Sequence, residues 1–149
     1  QSAGFDASLG LDKHFFDRAQ TEGKAIQGLE TTDFQISLFD GMTKDQQDRF
    51  LAETLKGVDK EKAAVAKLTG AWKNGDVTTI ERLVMEDVKS DPVIYDRLLA
   101  SRNRVWLPKI EALFSRPRHA FVVVGAAHLV GPDGVVAMLK AKGYTVTQL

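Results

Sequence analysis

The stretch from Phe121 to Gly134 constrains the fold of this chain more than any other segment. Residues 119–125 are rich in Val and Phe, and a short apolar run that ends in glycine predicts a fully buried β-strand. Residues 131–142 have the apolar spacing of a helix, and residues 144–149 predict a closing strand. A strand, a helix and a strand joined by short loops form a right-handed crossover, so these two strands are expected to be parallel.

Helical periodicity dominates the rest of the chain. Apolar residues recur at helical spacing and stop at glycine or at a capping residue, which predicts several separate helices. The predicted helices with defined ranges cover residues 9–21, 31–39, 59–73 and 91–114, and the last of these should kink or break at Pro108. Two further helices are predicted from their caps: one begins at Thr43, with Gln46 in the capping-box position, and the other begins at Asp76.

A second apolar segment, residues 25–29, predicts another buried strand that follows a helix. No repeat or linker divides the chain. We therefore expect a single α/β domain over residues 1–149, with a helix-rich layer and a small, largely parallel sheet of about three strands.

Composition excludes several classes of partner and site. The 149 residues contain 20 Lys and Arg against 20 Asp and Glu, and this neutral balance gives no electrostatic footprint for nucleic acid. The absence of cysteine rules out disulfides, thiolate nucleophiles and cysteine-based zinc sites. The longest apolar run, residues 120–127, is far shorter than the ~20 residues of a membrane helix, so no membrane span is expected.

His128 is the first candidate for chemistry. It follows Gly125 and two alanines at the carboxyl end of a predicted strand, where ligand sites form in open parallel sheets. A neutral imidazole there suits either a metal ion or a general base. The alternative is a structural histidine that hydrogen-bonds a loop carbonyl.

Glu30 has the same placement at the end of the other predicted strand. If the two strands are parallel, Glu30 and His128 emerge at one sheet edge, where they could be two ligands of a divalent metal or an acid–base pair. The alternative is that Glu30 interacts with the dipole of the helix that begins after Thr31.

Arg102 and Asn103 lie within the apolar stripe of the predicted helix over residues 91–114. A buried guanidinium needs an anion, and the candidates are Glu30, in an internal ion pair, or a substrate carboxylate or phosphate. The remaining candidates have structural explanations: His14 and His119 are expected on the surface, Trp72 and Trp106 in the core, and Asp133 in the first turn of a helix.

The same stretches resemble the TraB/PrgY/GumN family, a broad group that includes the Tiki-type metalloproteases. The order and spacing of the matching motifs cover almost the whole chain. They are Gly28-Leu29-Glu30-Thr31 with Gln35, Trp72 with Gly75-Asp76, Arg102-Asn103 with Trp106, and residues 122–134 with a Gly-x-x-His motif.

The resemblance implies a metal-dependent hydrolase, peptidase-like, with Glu30 and His128 as metal or catalytic residues and Arg102 and Asn103 as catalytic support. The family pattern has two Gly-x-x-His motifs, and only the second is present here, at Gly125 to His128. The chain thus looks like the C-terminal half of a bacterial GumN-like protein. We expect it to need the N-terminal half of that protein for activity, and to bind a divalent metal weakly or not at all by itself.

The resemblance also implies an extracytoplasmic location, since bacterial relatives of this branch commonly carry export signals, and a peptide or small molecule as substrate. The alternative function is a non-catalytic peptide-binding or inhibitory module of the TraB/PrgY type. In that case Arg102 would bind a peptide carboxylate and His128 would only donate or accept a hydrogen bond.

Overall fold

The computed structural model describes residues 6–58, 61–88 and 91–149, and the regular elements within them are helices and helical turns. Short 3-10 turns occupy Ala7–Leu9 and Ala126–His128. The helices are α1 (Leu11–Thr21), α2 (Thr32–Asp40), α3 (Lys44–Val58), α4 (Glu61–Lys73), α5 (Val77–Val88), α6 (Pro92–Tyr95), a π turn (Asp96–Ala100), α7 (Ser101–Phe114) and α8 (Val135–Ala141). No helix in the described ranges has the length and apolar character needed to cross a membrane.

Local capping explains where these helices begin. Thr31 accepts a hydrogen bond from the backbone N–H of Phe34 and so caps α2. Thr43 and Gln46 form the reciprocal pair of a capping box before α3. The carboxylate of Asp91 accepts from two N–H groups at the start of α6. The predicted helix starts at these three positions are therefore confirmed.

The predicted parallel sheet is wrong for the described part of the chain. Residues 25–29, 119–125 and 144–149 have no regular secondary structure. A strand exists only through its hydrogen-bonded ladder, and no backbone-to-backbone hydrogen bond joins residues 25–29, 119–124 or 145–149 to other described residues. Their apolar composition is typical of strands, but their backbones do not pair, so the domain is helical instead of α/β.

These three segments still lie on one hydrophobic core. Leu29, Val124 and Val146 each pack, half-buried, against the same cluster on α7 and α8. The other side chains face outward: Phe121 is 73% exposed and Ile26 is also exposed. The prediction of fully buried strands is therefore wrong as well. The shared cluster consists of Trp106, Leu107, Ile110, Val135 and Leu139.

The unpaired backbone of residues 120–124 gives a direct test by hydrogen exchange. We expect the amide hydrogens of this segment to exchange almost as fast as those of an unfolded chain, because no described backbone carbonyl accepts from them. The amides inside α7 should be strongly protected and serve as the internal reference. Slow exchange at residues 120–124, measured by mass spectrometry on peptic peptides, would contradict this structure.

The segment from Asp91 to Phe114 is helical throughout, as predicted, but its irregularity lies elsewhere. Of the kink or break predicted at Pro108, the break does not occur, because α7 runs through this residue. Pro108 has no backbone N–H, so the carbonyl of Arg104 loses the helical hydrogen bond that it would have accepted. Both residues are exposed to water. The irregular element is instead the π turn Asp96–Ala100, which has no proline.

A second, smaller cluster joins α4 and α5 to the segment before α8. Ala71, Ile80 and Val130 are buried together there. Trp72, on the neighbouring position of α4, is half exposed, so its assignment to the core is wrong. The predicted helix start at residue 131 is also too early, because α8 begins only at Val135. The residues between Val130 and α8 form a tight loop that becomes part of the candidate site.

Candidate functional site

Glu30 and Arg102 form a buried ion pair. Nε of Arg102 donates to Oε1 of Glu30 at 2.9 Å, and Nη2 donates to Oε2 at 2.8 Å. Nη1 donates to the carbonyl of Leu98 at 2.9 Å, one turn earlier in the helix. The side chains are 3% exposed for Glu30 and 16% for Arg102. The prediction that Arg102 finds its anion in Glu30 is confirmed, in the two-pronged geometry that suits a guanidinium.

The surroundings of Glu30 keep its carboxyl ionised. Burial raises the pKa of Glu30. The hydrogen bonds and positive charge of Arg102, the nearby indole N–H of Trp106 and the amide of Gln35 together lower it below its usual range. Gln35 donates to Oε2 at 3.3 Å from the first turns of α2. Lys109 of α7 also donates to the carbonyl of Leu29. These contacts hold Glu30 against α7 without any strand pairing.

His128 is held by Asn103. Nδ1 of His128 lies 2.7 Å from Oδ1 of Asn103, and Nδ2 of Asn103 donates to the main-chain carbonyl of Asp133 at 2.7 Å. A carbonyl only accepts, so the amide of Asn103 must turn its NH₂ to Asp133 and its oxygen to His128. His128 therefore carries its proton on Nδ1, which leaves the lone pair of Nε2 free. The alternative of a histidine bonded to a loop carbonyl does not apply to Nδ1.

His128 is neutral under ordinary conditions. The side chain is buried, and burial lowers its pKa to about 4. The positive charge of Arg102 contributes to this shift, whereas the negative charge of Glu30 opposes it. Because desolvation penalises the charged imidazolium, the ring stays in the form that can accept a proton or bind a metal ion.

Trp106 links the two pairs into one cluster. Its ring centroid lies 4.3 Å from that of His128, and the guanidinium carbon of Arg102 lies 5.0 Å from the centre of the Trp106 ring. The indole N–H is buried without a hydrogen bond of normal geometry, although it is close enough to Glu30 to lower the pKa of that residue. The structure thus brings together all four residues singled out in the sequence, and it does so through α7 instead of through a sheet edge.

Three members of the site were missed by the sequence analysis, namely Tyr95, Asp133 and Trp106. Tyr95 donates from its hydroxyl to the carboxylate of Asp133 at 3.1 Å, and the main-chain carbonyl of Asp133 holds Asn103. Trp106 was assigned only to the core. The placement of Tyr95 depends on the irregular turn that follows it, and nothing local in the sequence marked that turn or the carbonyl of Asp133.

The loop that carries Asp133 is shaped by two glycines. Gly131 has a φ of +79°, a left-handed conformation that favours glycine. A Cβ on Gly134 would lie 2.5 Å from the carbonyl oxygen of Val130, so only glycine fits there. The other two histidines, His14 and His119, are exposed, as predicted.

Comparison with known proteins gives one informative result. No curated protein and no solved structure matches the chain. The model of the TraB/PrgY/gumN family matches residues 1–148. Since that match extends over nearly the entire sequence and includes every residue of the site, the chain belongs to the TraB/PrgY/gumN family.

Proposed function

We propose that this chain supplies the reactive histidine of a hydrolytic site that acts on peptides. The observation that carries the proposal is the contact of Nδ1 of His128 with Oδ1 of Asn103 at 2.7 Å, which leaves Nε2 unprotonated in a buried setting. Any buried imidazole needs a partner for its N–H, so the feature that supports reactivity is the unprotonated Nε2 and not the hydrogen bond by itself. The peptide substrate class comes from the Tiki-type relatives that the family includes.

In this proposal, Nε2 of His128 accepts a proton from a water molecule that attacks a peptide carbonyl, and later returns it to the leaving amine. The low pKa of His128 keeps the accepting form present throughout the neutral range. Arg102 and Glu30 do not move protons in this scheme. Their ion pair holds opposite charges next to the ring at fixed positions.

The described residues do not make a divalent metal site by themselves. They contain no group of three or more His, Asp or Glu that could hold an ion. Both oxygens of Glu30 already accept from Arg102, which leaves Nε2 of His128 as the one ready ligand of the predicted pair. A catalytic zinc usually has three protein ligands. A metal-dependent form of the proposal needs ligands beyond these residues, so we assign no step to a metal.

The structure also bears on peptide capture without catalysis. That alternative would use Arg102 to bind a peptide carboxylate, but each of its three guanidinium nitrogens already donates to Glu30 or to the carbonyl of Leu98. Glu30 occupies the Nε–Nη2 edge of the guanidinium, so a carboxylate that bound this edge in the same two-pronged way would have to displace Glu30 from a buried pair, which is costly. Hydrolysis by His128 requires no such exchange and is the better-supported function.

Replacement of His128 tests the proposal. Because this chain is expected to need the N-terminal half of its protein for activity, the assay uses the protein that contains both halves. We expect that protein, incubated with a diverse peptide library and analysed by mass spectrometry, to cleave a subset of peptides. We expect His128→Ala to lower the rate at least 100-fold, the typical contribution of an acid–base group. His14→Ala and His119→Ala remove the two exposed histidines and should leave the rate unchanged.

The assay is run with a chelator and with added Zn²⁺, Mn²⁺ or Co²⁺, so that metal dependence is measured separately. Peptide binding without cleavage in every arm, unaltered by His128→Ala, would favour the capture module instead. Cleavage that survives His128→Ala would overturn the role of this histidine.

A further inference from the structure

A chain of three hydrogen bonds runs from α6 to the imidazole of His128. Tyr95 donates to the carboxylate of Asp133 at 3.1 Å, Asn103 donates to the carbonyl of Asp133 at 2.7 Å, and Nδ1 of His128 meets Oδ1 of Asn103 at 2.7 Å. We propose that Tyr95 and Asp133 are positioning residues that set the orientation of the Asn103 amide and thereby the tautomer of His128. This inference rests on the proposed function, in which Nε2 is the reacting atom.

The orientation of Asn103 decides which ring nitrogen carries the proton. A side-chain amide has a donor end and an acceptor end of nearly the same shape. If Asn103 were flipped, its NH₂ would face Nδ1 of His128, which would then have to accept, and the proton would move to Nε2. The carbonyl of Asp133 prevents this because it can only accept a hydrogen bond.

The position of that carbonyl depends on a loop that Tyr95 holds against α6 through a hydrogen bond. The turn from Gly131 to Gly134 is closed by a hydrogen bond from the N–H of Gly134 to the carbonyl of Gly131 at 3.1 Å. The hydroxyl of Tyr95 joins the same turn to α6 through the Asp133 side chain. Burial, followed by the hydrogen bond to Asp133, raises the pKa of Tyr95 to about 12, so the hydroxyl remains a donor at all ordinary pH values.

The π turn between α6 and α7 accounts for how Tyr95 and Asn103 reach the same loop. In a regular α-helix, residues eight positions apart point about 80° away from each other. A π turn has more residues per turn and so rotates less per residue. The insertion of Asp96–Ala100 between Tyr95 and Asn103 brings the two side chains back to one face, where both contact Asp133. The irregular turn thereby positions Tyr95 and Asn103 on the same loop, which its sequence did not indicate.

The test is ¹⁵N NMR of histidine-labelled protein at neutral pH. In the unmodified protein we expect His128 to show a protonated, pyrrole-type Nδ1 and an unprotonated, pyridine-type Nε2. Tyr95→Phe removes only the hydroxyl, and we expect a second population with the proton on Nε2. Tyr144→Phe is the matched control, since Tyr144 also donates to a carboxylate, Glu111 at 3.2 Å, but away from the site. It should leave the His128 signals unchanged.

Where peptide hydrolysis is measured, Tyr95→Phe should lower kcat about 10-fold with little change in KM, as for other partners that orient a reactive group. An unchanged His128 tautomer in Tyr95→Phe, or the same change in Tyr144→Phe, would overturn the inference. The tautomer is read from the spectrum without any turnover. A protein that shows the predicted shift but cleaves no peptide therefore supports the hydrogen-bond chain and refutes only the hydrolytic function.

Discussion

Replacing Arg102 by alanine is expected to lower the free energy of unfolding by about 3–5 kcal/mol, the typical cost of removing one partner from a buried ion pair. The Glu30 side chain is only 3% exposed, so the variant leaves a carboxylate buried without its main partner. The pKa of Glu30, now held below its usual range, should then rise, because burial would no longer be outweighed by the guanidinium. Urea unfolding at pH 7 measures the loss.

Conservative variants separate charge from geometry at this pair. Arg102→Lys keeps the positive charge but cannot donate to both oxygens of Glu30, so it should recover only part of the lost stability. Glu30→Gln keeps the shape but leaves the guanidinium of Arg102 without its anion. Glu30→Gln should destabilise the protein as well. The double variant Glu30→Gln with Arg102→Ala should lose much less free energy of unfolding than the sum of the losses in the two single variants.

Arg104 provides the matched control for Arg102. It lies two residues further along α7 and pairs with Asp96, but the two side chains are 51% and 55% exposed. Exposed pairs contribute little to stability. Arg104→Ala should therefore have a small effect, with negligible coupling to Asp96. A coupling energy near zero between positions 30 and 102 in the same experiment would refute the buried pair.

Features set by local chemistry could be predicted from the sequence. The starts of α2, α3 and α6 depend on Thr31, Thr43 and Asp91, whose side chains bond to backbone groups two or three residues away. The cost of a buried charge also predicted that Arg102 would need an anion, and Glu30 supplies it. In each case the deciding interaction follows from one residue and a general rule.

The sheet could not be predicted in the same way, because strand pairing is not a local property. Residues 119–125 have the composition of a strand, but whether they form one depends on a second backbone at the correct distance. No described backbone group forms a hydrogen bond with residues 119–124, and the segment contributes Val124 to the core and leaves Phe121 exposed. Glu30 and His128 do belong to one cluster around Trp106, but a shared sheet edge, the reason given for expecting them together, is absent from the described residues.

The loop before α8 shows a second limit. The glycines and the proline between Val130 and Val135 predicted a helix start, and the residues were assigned to it accordingly. The structure uses them to present a main-chain carbonyl to Asn103. Every residue has such a carbonyl, so no residue type in the sequence marks the one that orients the amide.

Acidification from pH 6.5 to pH 4 is expected to remove roughly 3 kcal/mol of stability through His128 alone. In the unfolded chain this histidine takes up a proton near the ordinary histidine pKa of 6.5, whereas in the folded protein burial and the charge of Arg102 lower the pKa to about 4. Between these two values the unfolded state binds more protons. The free energy of unfolding therefore falls as the pH falls through this window, and it stops falling on this account below about pH 4.

Two variants isolate the contribution of His128. His128→Asn keeps a side-chain N–H that can donate to Asn103 but does not titrate, so its stability should change much less between pH 6.5 and pH 5, where few carboxylates take up protons. His14→Asn removes an exposed histidine from α1 and should retain the full pH dependence. Chemical unfolding of the three proteins at several pH values gives the comparison.

Glu30 also lowers the stability of the protein on acidification, but at a lower pH than His128. The contribution of His128 therefore has to be measured above the pH range in which Glu30 takes up its proton. The folded-state pKa of Glu30 is also below its usual value, so its contribution to stability is lost as the pH falls below about 4.5, the range in which free carboxylates protonate. The difference between the unmodified protein and His128→Asn should therefore develop mainly between pH 6.5 and pH 4.5, before Glu30 contributes. If both proteins lose stability equally over that interval, folding does not lower the pKa of His128, and the ring is not buried in its neutral form.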